Sequence, residues 1–387
     1  MPARRQTGGD DNQKEEFFMS TSTMQQLSDL GQSVWLDFIS RPLLETGKLK
    51  QLIQLGLRGM TSNPSIFNQS IGTTHDYDEQ ITLLKQKGKS IFDIYDALTI
   101  NDIQQATDQF KSVYEQTKGL DGYVSLEINP LLANKVDEQI KEGKRLFAKV
   151  NRPNVMIKVP STQEGFPVIE ELIASGINVN VTLIFSLEQY VNTAHAYWRG
   201  LKRLVQKTND LSHVRSVASV FISRVDTIID ELLEKRSAEA KNLKGKAAVA
   251  NARIIYEEYK KLFESGEFKT LRAKGANVQR VLWGSTSTKN PSYKDVKYVE
   301  ELIAVDTINT IPEKTLNCFL DHGKVKDAFQ NNVNEAKKVI SALDQQNILI
   351  DDVCKNLLKD GLKAFDDAFE TLQHSLEKKA QQLSLAK

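Results

Sequence analysis

Eight short runs of apolar or β-branched residues, separated by amphipathic helical patterns, constrain the fold of this chain most. The runs span residues 33–38, 57–60, 123–128, 154–159, 177–185, 216–222, 280–284 and 302–307. Strands that alternate with helices form a parallel sheet, and eight such units are the number that closes a (β/α)8 barrel. The sequence therefore predicts an α/β fold, a single TIM barrel.

The two ends of the chain differ from this pattern. Residues 1–23 are polar and contain a Gly-Gly-Asp-Asp stretch, which is typical of a disordered tail or an artificial extension. We assign residues 24–387 to one barrel domain. Within this domain, the pattern of residues 316–387 predicts additional C-terminal helices packed on the barrel. Further helical patterns span 292–301, 348–358 and 361–376, and more than one helix is expected between the second and third strands.

Charge and composition exclude several classes of protein. The 387 residues include 51 Lys+Arg and 50 Asp+Glu, a formal net charge of +1. No overall field therefore attracts nucleic acid or a membrane surface. There is no apolar run that could span a bilayer and no signal-peptide core, and the two cysteines fit a reducing compartment. We expect a cytoplasmic protein, and its five histidines lack metal-ligand spacing.

Lys158 occupies an unusual position for a charged residue. It lies in the run Asn-Val-Met-Ile-Lys-Val of residues 154–159, which reads as a buried strand. A buried ammonium is costly, so such a lysine needs a partner, an exit to solvent or a lowered pKa. A desolvated lysine is also the nucleophile that forms Schiff bases with carbonyl substrates. This segment alone leaves a catalytic lysine and a paired or snorkelling lysine equally open.

Polar side chains follow or end the other predicted strands as well. They are Asp37, Asn63, Glu127, Asn180, Thr182, Ser219, Arg224 and the Ser/Thr/Lys-rich stretch 285–289. Functional side chains of a TIM barrel lie at the C-terminal ends of its strands. We therefore expect these residues to converge with Lys158 on one rim and to form an active site.

The residue types at this rim indicate a sequence of chemical steps. A neutral lysine attacks a ketone, and loss of water from the carbinolamine needs an acid and then a base. Glu127 is the candidate for both, with Thr182 orienting a bridging water. Cleavage of the adjacent carbon–carbon bond needs a second base, for which Asp37 is placed. Arg224 and the stretch 285–289 offer donors suited to a phosphate.

Motifs that carry these residues resemble the transaldolase family, in the same order along the chain. They are Trp35-Leu36-Asp37, Thr61-Ser62-Asn63-Pro64, Ile157-Lys158-Val159-Pro160, Asn180-Val181-Thr182, Ser219-Val220-Phe221 with Ser223-Arg224, and Leu282-Trp283-Gly284-Ser285-Thr286. The resemblance covers most of residues 30–375 and is closest to the longer bacterial and plant-type members. It implies a cofactor-free enzyme of the non-oxidative pentose phosphate pathway. Such an enzyme moves a dihydroxyacetone unit from sedoheptulose 7-phosphate to glyceraldehyde 3-phosphate, giving erythrose 4-phosphate and fructose 6-phosphate.

The resemblance also implies a role for each site residue. Lys158 would form the Schiff base, Glu127 would act through a water held by Thr182, and Asp37 would handle the proton of the C4 hydroxyl. The remaining members would bind substrate: Asn63, Asn180 and Ser219 the dihydroxyacetone hydroxyls, Thr61 and Ser125 in support, and Arg224 with Ser285 the phosphate. The family has a second phosphate arginine where this chain has Ser287, and Lys289 is a candidate replacement with a single point charge.

Three other functions are weighed against transfer. A fructose-6-phosphate aldolase-like lyase shares the lysine, but its members are shorter and have tyrosine at the position of Phe221. A lyase of the deoxyribose-phosphate type leaves Asp37 and Asn63 unexplained, and a non-catalytic phosphosugar-binding barrel leaves Lys158 and Glu127 unexplained. Phosphorylated sugars are the expected partners, with no nucleic acid and no membrane. A homodimer contact could use one of the C-terminal helices.

Overall fold

The computed structural model describes residues 21–330 and 333–385, and these form a closed barrel of eight strands in chain order. The strands are β1 Gln32–Asp37, β2 Leu57–Thr61, β3 Tyr123–Glu127, β4 Val155–Pro160, β5 Val179–Ile184, β6 Ser216–Phe221, β7 Arg280–Gly284 and β8 Thr307–Ile311. Every neighbouring pair is parallel, and β8 closes the barrel against β1. The predicted TIM barrel is confirmed.

Helices surround the barrel. They are α1 Thr23–Asp29, α2 Arg41–Glu45, α3 Lys48–Gln54, α4 Pro64–Phe67, α5 Asp78–Gln86, α6 Ile91–Gln109, α7 Lys111–Gln116, α8 Val136–Val150, α9 Gly165–Ala174, α10 Leu187–Leu204, α11 Ser223–Glu234, α12 Ala238–Lys241, α13 Ala247–Glu264, α14 Gly266–Arg272, α15 Lys297–Glu300, α16 Glu313–His322, α17 Val333–Gln345 and α18 Ile350–Leu385. A π turn, Asn68–Gly72, follows α4. The stretch between β2 and β3 holds several helices, as expected. Across the described residues, no helix combines the length and apolarity needed to cross a bilayer.

Large side chains fill the inside of the barrel. The buried interior cluster consists of Trp35, Tyr123, Met156, Val217, Leu282 and Ile308, which come from six different strands. Gly59 of β2 lies against the Trp35 indole, and a Cβ there would be 2.6 Å from the ring. Glycine is therefore required at this position, because the indole occupies the space of a side chain.

A buried ion pair closes the barrel at the N-terminal ends of the strands. Arg280, at the start of β7, lies 3.1 Å from Asp121, just before β3. Arg280 also donates to the Ser33 hydroxyl at 2.7 Å, and Ser33 donates to Asp121 at 2.7 Å. Because a buried charge needs a partner, these contacts tie β7, β1 and the approach to β3 into one unit.

The eighth strand lies further along the chain than predicted. Residues 302–307 were expected to form it, but β8 begins only at Thr307. Leu302 and Ile303 are buried in the turns between α15 and β8. A run of buried apolar residues in a turn gives the same sequence pattern as a buried strand. β8 contains Asn309 and Thr310, and these polar residues interrupt the apolar pattern by which a buried strand is predicted. The helical pattern over 292–301 is likewise reduced to α15, so residues 285–296 form a long loop.

The two helical patterns near the C-terminus form one helix. The patterns 348–358 and 361–376 belong to α18, which continues for 36 residues. Gly361 does not break it: the glycine allows close approach to β5, because a Cβ there would be 3.0 Å from a Leu183 methyl group. α18 contacts α4, the π turn, α6, β5 and α11, so it packs on the barrel as predicted and lies across one face of it.

The proposed disordered tail falls almost entirely outside the described residues. Within them, the Ser22 hydroxyl accepts from the Gln25 amide and caps α1, which begins at Thr23. The division of the chain at residue 23 stays a prediction.

Candidate active site

A polar cavity of about 220 Å³ opens at the C-terminal ends of the strands. Its walls include ten of the residues singled out from the sequence, namely Asp37, Thr61, Asn63, Lys158, Thr182, Ser219, Phe221, Arg224, Ser285 and Lys289. Strand ends of the barrel therefore do meet around one space, as a TIM barrel requires of a site.

Lys158 lies on β4 between two strands that carry polar partners. The parallel register pairs Lys158 with Glu127 on β3 and with Asn180 on β5. Its side chain is 6% exposed; Nζ donates to the Ser62 carbonyl at 2.9 Å and lies 3.6 Å from Glu127 Oε2. A nucleophilic lysine must lose a proton before it reacts, and the neighbouring Glu127 carboxylate can accept that proton.

Glu127 has an altered affinity for protons. Burial raises its pKa to about 7, the nearby charge of Lys158 acts in the opposite direction, and Asp37 adds a smaller upward effect. A carboxyl group with a pKa near neutrality can donate a proton and take one back at physiological pH. Glu127 thus has the properties of an acid and base beside Lys158.

Thr182 and Glu127 each present a buried polar atom towards this region. Among the described residues, neither Thr182 Oγ1 nor Glu127 Oε2 has a hydrogen-bond partner. The pairing of β5 with β6 shifts between Val181 and Ile184, and Leu183 has a φ of 59°. Such irregularities commonly re-aim a side chain beside an active site. Both atoms remain available to a water or a substrate oxygen.

Asp37 lies on another wall of the cavity, at the end of β1. Its carboxylate accepts a hydrogen bond from Thr61 Oγ1 at 2.7 Å, and that hydroxyl lies 2.7 Å from Thr310 Oγ1. Burial raises the pKa of Asp37, while Lys158, the Thr61 hydroxyl and Lys289 act in the opposite direction. Asp37 is therefore held in place, and its raised pKa makes the carboxylate a better proton acceptor.

A chain of hydrogen bonds crosses three strands below Lys158. Asn180 Nδ2 donates to Ser125 Oγ at 3.0 Å, and Ser219 Oγ donates to Asn180 Oδ1 at 2.6 Å. The chain fixes the orientation of the Asn180 amide, and Ser219 reaches the cavity wall. Asn63 is fixed differently, because its Oδ1 caps α4 by accepting from the Ile66 amide at 3.0 Å.

Two positively charged side chains, Arg224 and Lys289, lie in the cavity wall. Arg224 is the second residue of α11, and no carboxylate of the described residues lies within ion-pair distance of it. Ser285 follows β7 with a φ of 53°, and its hydroxyl lies 3.1 Å from that of Ser223. Lys289 is exposed and donates to Ser287 Oγ at 2.9 Å. Two cations and the nearby hydroxyl groups are together suited to bind an anion.

Phe221 also lines the cavity. Its ring makes an edge contact with Phe185 at 5.5 Å, and the Arg224 guanidinium lies 5.9 Å from the Phe221 ring centre. An aromatic ring at this point gives the cavity an apolar wall without a hydroxyl group.

Sequence reasoning missed Phe365, which forms part of the cavity wall. Phe365 comes from α18, and its ring centre lies 5.8 Å from Lys158 Nζ. The helical pattern of α18 indicates an apolar face, but it does not say which face of the barrel that helix covers.

The described residues contain no group of three potential metal ligands among His, Cys, Asp and Glu.

The chain is similar to known proteins over most of its length. The family model described as transaldolase/fructose-6-phosphate aldolase matches residues 34–376. "Transaldolase" of Trichodesmium erythraeum is 44% identical over 378 residues, which cover 95% of this chain and 100% of the relative. "Transaldolase 2" of Nostoc punctiforme is 42% identical, covering 95% of this chain and 100% of that protein. "Transaldolase" of Frankia alni is 43% identical, with 94% and 98% covered.

Proposed function

The chain belongs to the transaldolase/fructose-6-phosphate aldolase family, and we propose that it acts as a transaldolase through a Schiff base on Lys158. The enzyme transfers a dihydroxyacetone unit from sedoheptulose 7-phosphate to glyceraldehyde 3-phosphate, and it releases erythrose 4-phosphate and fructose 6-phosphate. The reaction is reversible and is part of the non-oxidative pentose phosphate pathway. The observation that carries the proposal is Lys158 itself, buried on β4 within 3.6 Å of Glu127.

Schiff-base formation uses Lys158, Glu127 and Thr182. The Lys158 ammonium first gives a proton to Glu127, and the neutral amine attacks the ketone carbon of the donor sugar. A proton then moves from the nitrogen to the new alkoxide oxygen, which gives the carbinolamine. The carbinolamine then loses its hydroxyl group as water, for which protonated Glu127 supplies the proton. A water bound between Glu127 and the Thr182 hydroxyl relays it, which would satisfy both buried oxygens that lack a partner.

Cleavage of the carbon–carbon bond uses Asp37. The iminium on Lys158 withdraws electrons from the bond between C3 and C4 of the sugar. As that bond breaks, the C4 hydroxyl gives its proton to the Asp37 carboxylate and becomes the aldehyde of the product. Burial raises the pKa of Asp37 and thus strengthens it as a base for this step. In the reverse direction the protonated carboxyl group returns the proton to the acceptor aldehyde.

The bound three-carbon unit is held by amide and hydroxyl groups. We assign Asn63, Asn180 and Ser219 to its hydroxyl groups, because two of them line the cavity and Asn180 is oriented by Ser125 and Ser219. Thr61 supports Asp37 by donating to its carboxylate. Fixed donors and acceptors keep the unit in place while one aldehyde leaves and another enters.

The phosphate of either substrate binds at the far end of the cavity. Arg224 and Ser285 provide a fork of N–H donors and a hydroxyl group, and Lys289 adds a second positive charge from the loop after β7. The loop has serine at position 287, so Lys289 serves in place of an arginine.

The ring at Phe221 favours transfer over release. A fructose-6-phosphate aldolase-like lyase would release free dihydroxyacetone, which requires water and a proton donor near the enamine. Phe221 packs against Phe185 and offers no hydroxyl group for that purpose.

Borohydride reduction tests the proposal directly. Incubating the enzyme with fructose 6-phosphate and borohydride should reduce the iminium and leave a three-carbon adduct on Lys158, located by peptide mass mapping. Lys158→Ala should lose the adduct and lower kcat at least a thousandfold, as expected on loss of a covalent nucleophile. Lys289→Met is the matched control and should keep the adduct. A wild-type adduct on Lys289, or none at all, contradicts the mechanism.

Two further expectations remain proposals. We propose that the enzyme acts in the cytoplasm, in keeping with its two cysteines and net charge of +1. We also propose a homodimer, and sedimentation measurements would give its mass.

A further inference from the structure

Helix α18 crosses the active-site end of the barrel and is attached on both sides. On one side, Cys354 Sγ donates to the Phe185 carbonyl at 3.3 Å, and Gly361 lies against Leu183 of β5. On the other side, Lys379 reaches the segment that follows β2. With a rise of 1.5 Å per residue, Cys354 and Lys379 are roughly 37 Å apart along the helix, about the width of a small domain.

The attachment at Lys379 is unusually polar for a helix face. Lys379 is only 9% exposed, yet its amine donates to the carbonyls of Ile71, at 3.1 Å, and Thr74. It also lies 2.8 Å from Asp78 Oδ1. A buried ammonium with three oxygen partners resists displacement, because losing them would leave the charge uncompensated. The attachment therefore fixes α18 in place over the cavity.

Phe365 lies between these two attachments, directly over Lys158. It is 8% exposed, lines the cavity, and has its ring centre 5.8 Å from Lys158 Nζ. On the same side of α18, Phe369 makes an edge contact with Tyr95 of α6 at 5.3 Å. Phe365 thus presents a fixed apolar surface to the atoms that react.

An apolar cover matters because the enamine left after cleavage has two fates. In transfer, its carbon attacks the acceptor aldehyde, whose oxygen takes a proton from Asp37. In the competing reaction, the carbon takes a proton from water to give an iminium. A second water then adds to the iminium carbon, and the carbon–nitrogen bond breaks to give dihydroxyacetone and the free amine of Lys158. Hydrolysis of the Schiff base by the water at Glu127 and Thr182 ends both paths, so keeping water from the enamine carbon slows only the protonation that begins the second path.

We propose that α18 is a fixed roof over the active site and that Phe365 determines specificity for transfer by keeping water from the enamine on Lys158. This inference rests on the proposed Schiff-base function. Lys379 is a positioning residue in this scheme, since it acts on the reaction only by holding the roof.

Phe365→Ala is the direct test. The rate of dihydroxyacetone release from fructose 6-phosphate without acceptor is measured against the rate of transfer to erythrose 4-phosphate. We expect the ratio of the release rate to the transfer rate to rise about tenfold. This corresponds to a change of about 1.4 kcal/mol in the difference between the two activation barriers. Phe365→Leu restores an apolar cover and should bring the ratio back towards wild type. An unchanged ratio in Phe365→Ala overturns the proposal.

Lys379→Met gives a second route to the same answer without altering the cavity wall. It should raise the ratio in the same direction, whereas Lys378→Met, a neighbouring exposed lysine, should leave it unchanged. Equal ratios in these two variants would show that the roof does not depend on Lys379. Borohydride trapping separates this inference from the function: a wild-type enzyme that traps no adduct refutes both, and one that traps normally while Phe365→Ala keeps the wild-type ratio refutes the roof alone.

Discussion

At the scale of residues, Lys158 influences the charge of Glu127. They lie 3.6 Å apart on neighbouring strands, and the Lys158 ammonium opposes the rise that burial produces in the pKa of Glu127. The net result is a carboxyl group that titrates near neutrality. Below about pH 7 Glu127 is mostly protonated and can donate, and above it the carboxylate can accept.

The pH dependence of catalysis should therefore follow Glu127. We expect the pH profile of kcat to have a limb near pH 7, and Glu127→Gln to remove that limb and lower kcat by about 10²–10⁴-fold, the usual loss with a general acid–base. Glu138→Gln, on the exposed surface of α8, is the control and should leave the profile unchanged. A limb that persists in Glu127→Gln would assign the titration to another group.

The residue pairs were predictable from the sequence to a large extent. Lys158, Glu127 and Asn180 were placed on consecutive strands, and parallel register brings such residues side by side. The hydrogen bond from Lys158 to the Ser62 carbonyl could not be predicted, because the backbone after β2 turns towards β4 only in the folded barrel.

At the scale of elements, prediction failed where the buried residues of a strand are polar and the buried residues of the preceding turns are apolar. β8 carries the buried polar residues Asn309 and Thr310, while the buried Leu302 and Ile303 before it belong to no strand. α18 shows a second limit. Its periodicity predicts a helix with an apolar face, but the position of Phe365 over Lys158 depends on attachments that are far away in the chain.

The loop 285–296 is the element on which the proposed phosphate site depends. It carries Lys289 as a single charge, and the Tyr293 hydroxyl anchors it by donating to Asp230 at 2.6 Å. Lys289→Met should raise KM for phosphorylated substrates about tenfold with little change in kcat, because one charge-assisted hydrogen bond contributes about 1.5–3 kcal/mol. Steady-state kinetics with fructose 6-phosphate measures this.

Ser287→Arg in the Lys289→Met background tests the same element from the other side. We expect arginine at position 287 to recover KM, since its fork can bind a phosphate oxygen pair. Lys294→Met, an exposed lysine of the same loop that pairs with Glu300, serves as the control. A KM that is unaffected by Lys289→Met would remove Lys289 from the phosphate site.

At the scale of the whole molecule, the two ends of the barrel have different roles. The end with Arg280 and Asp121 is closed by buried polar contacts, and the opposite end carries the cavity. In TIM barrels the strand N-termini serve stability and the strand C-termini serve chemistry. Changes at Asp121 should therefore alter folding without altering the site.

Asp121→Ala should destabilise the protein by about 3–5 kcal/mol, because it leaves the Arg280 guanidinium buried without its partner. Urea denaturation measures the loss, and kcat at low temperature should stay near wild type. The double variant Asp121→Leu with Arg280→Met removes both charges and should recover part of the stability. A large fall in kcat for folded Asp121→Ala would contradict the separation of the two ends.

The position of α18 along the chain has a consequence during protein synthesis. Ribosomes translate residues 32–311, which contain all eight strands, before they reach the helix that covers Lys158. A nascent chain therefore contains Lys158, Glu127 and Asp37 before it contains Phe365, and on our proposal the enamine carbon would then still meet water. In such a chain, reactivity towards sugars would come earlier than fidelity in passing the three-carbon unit on.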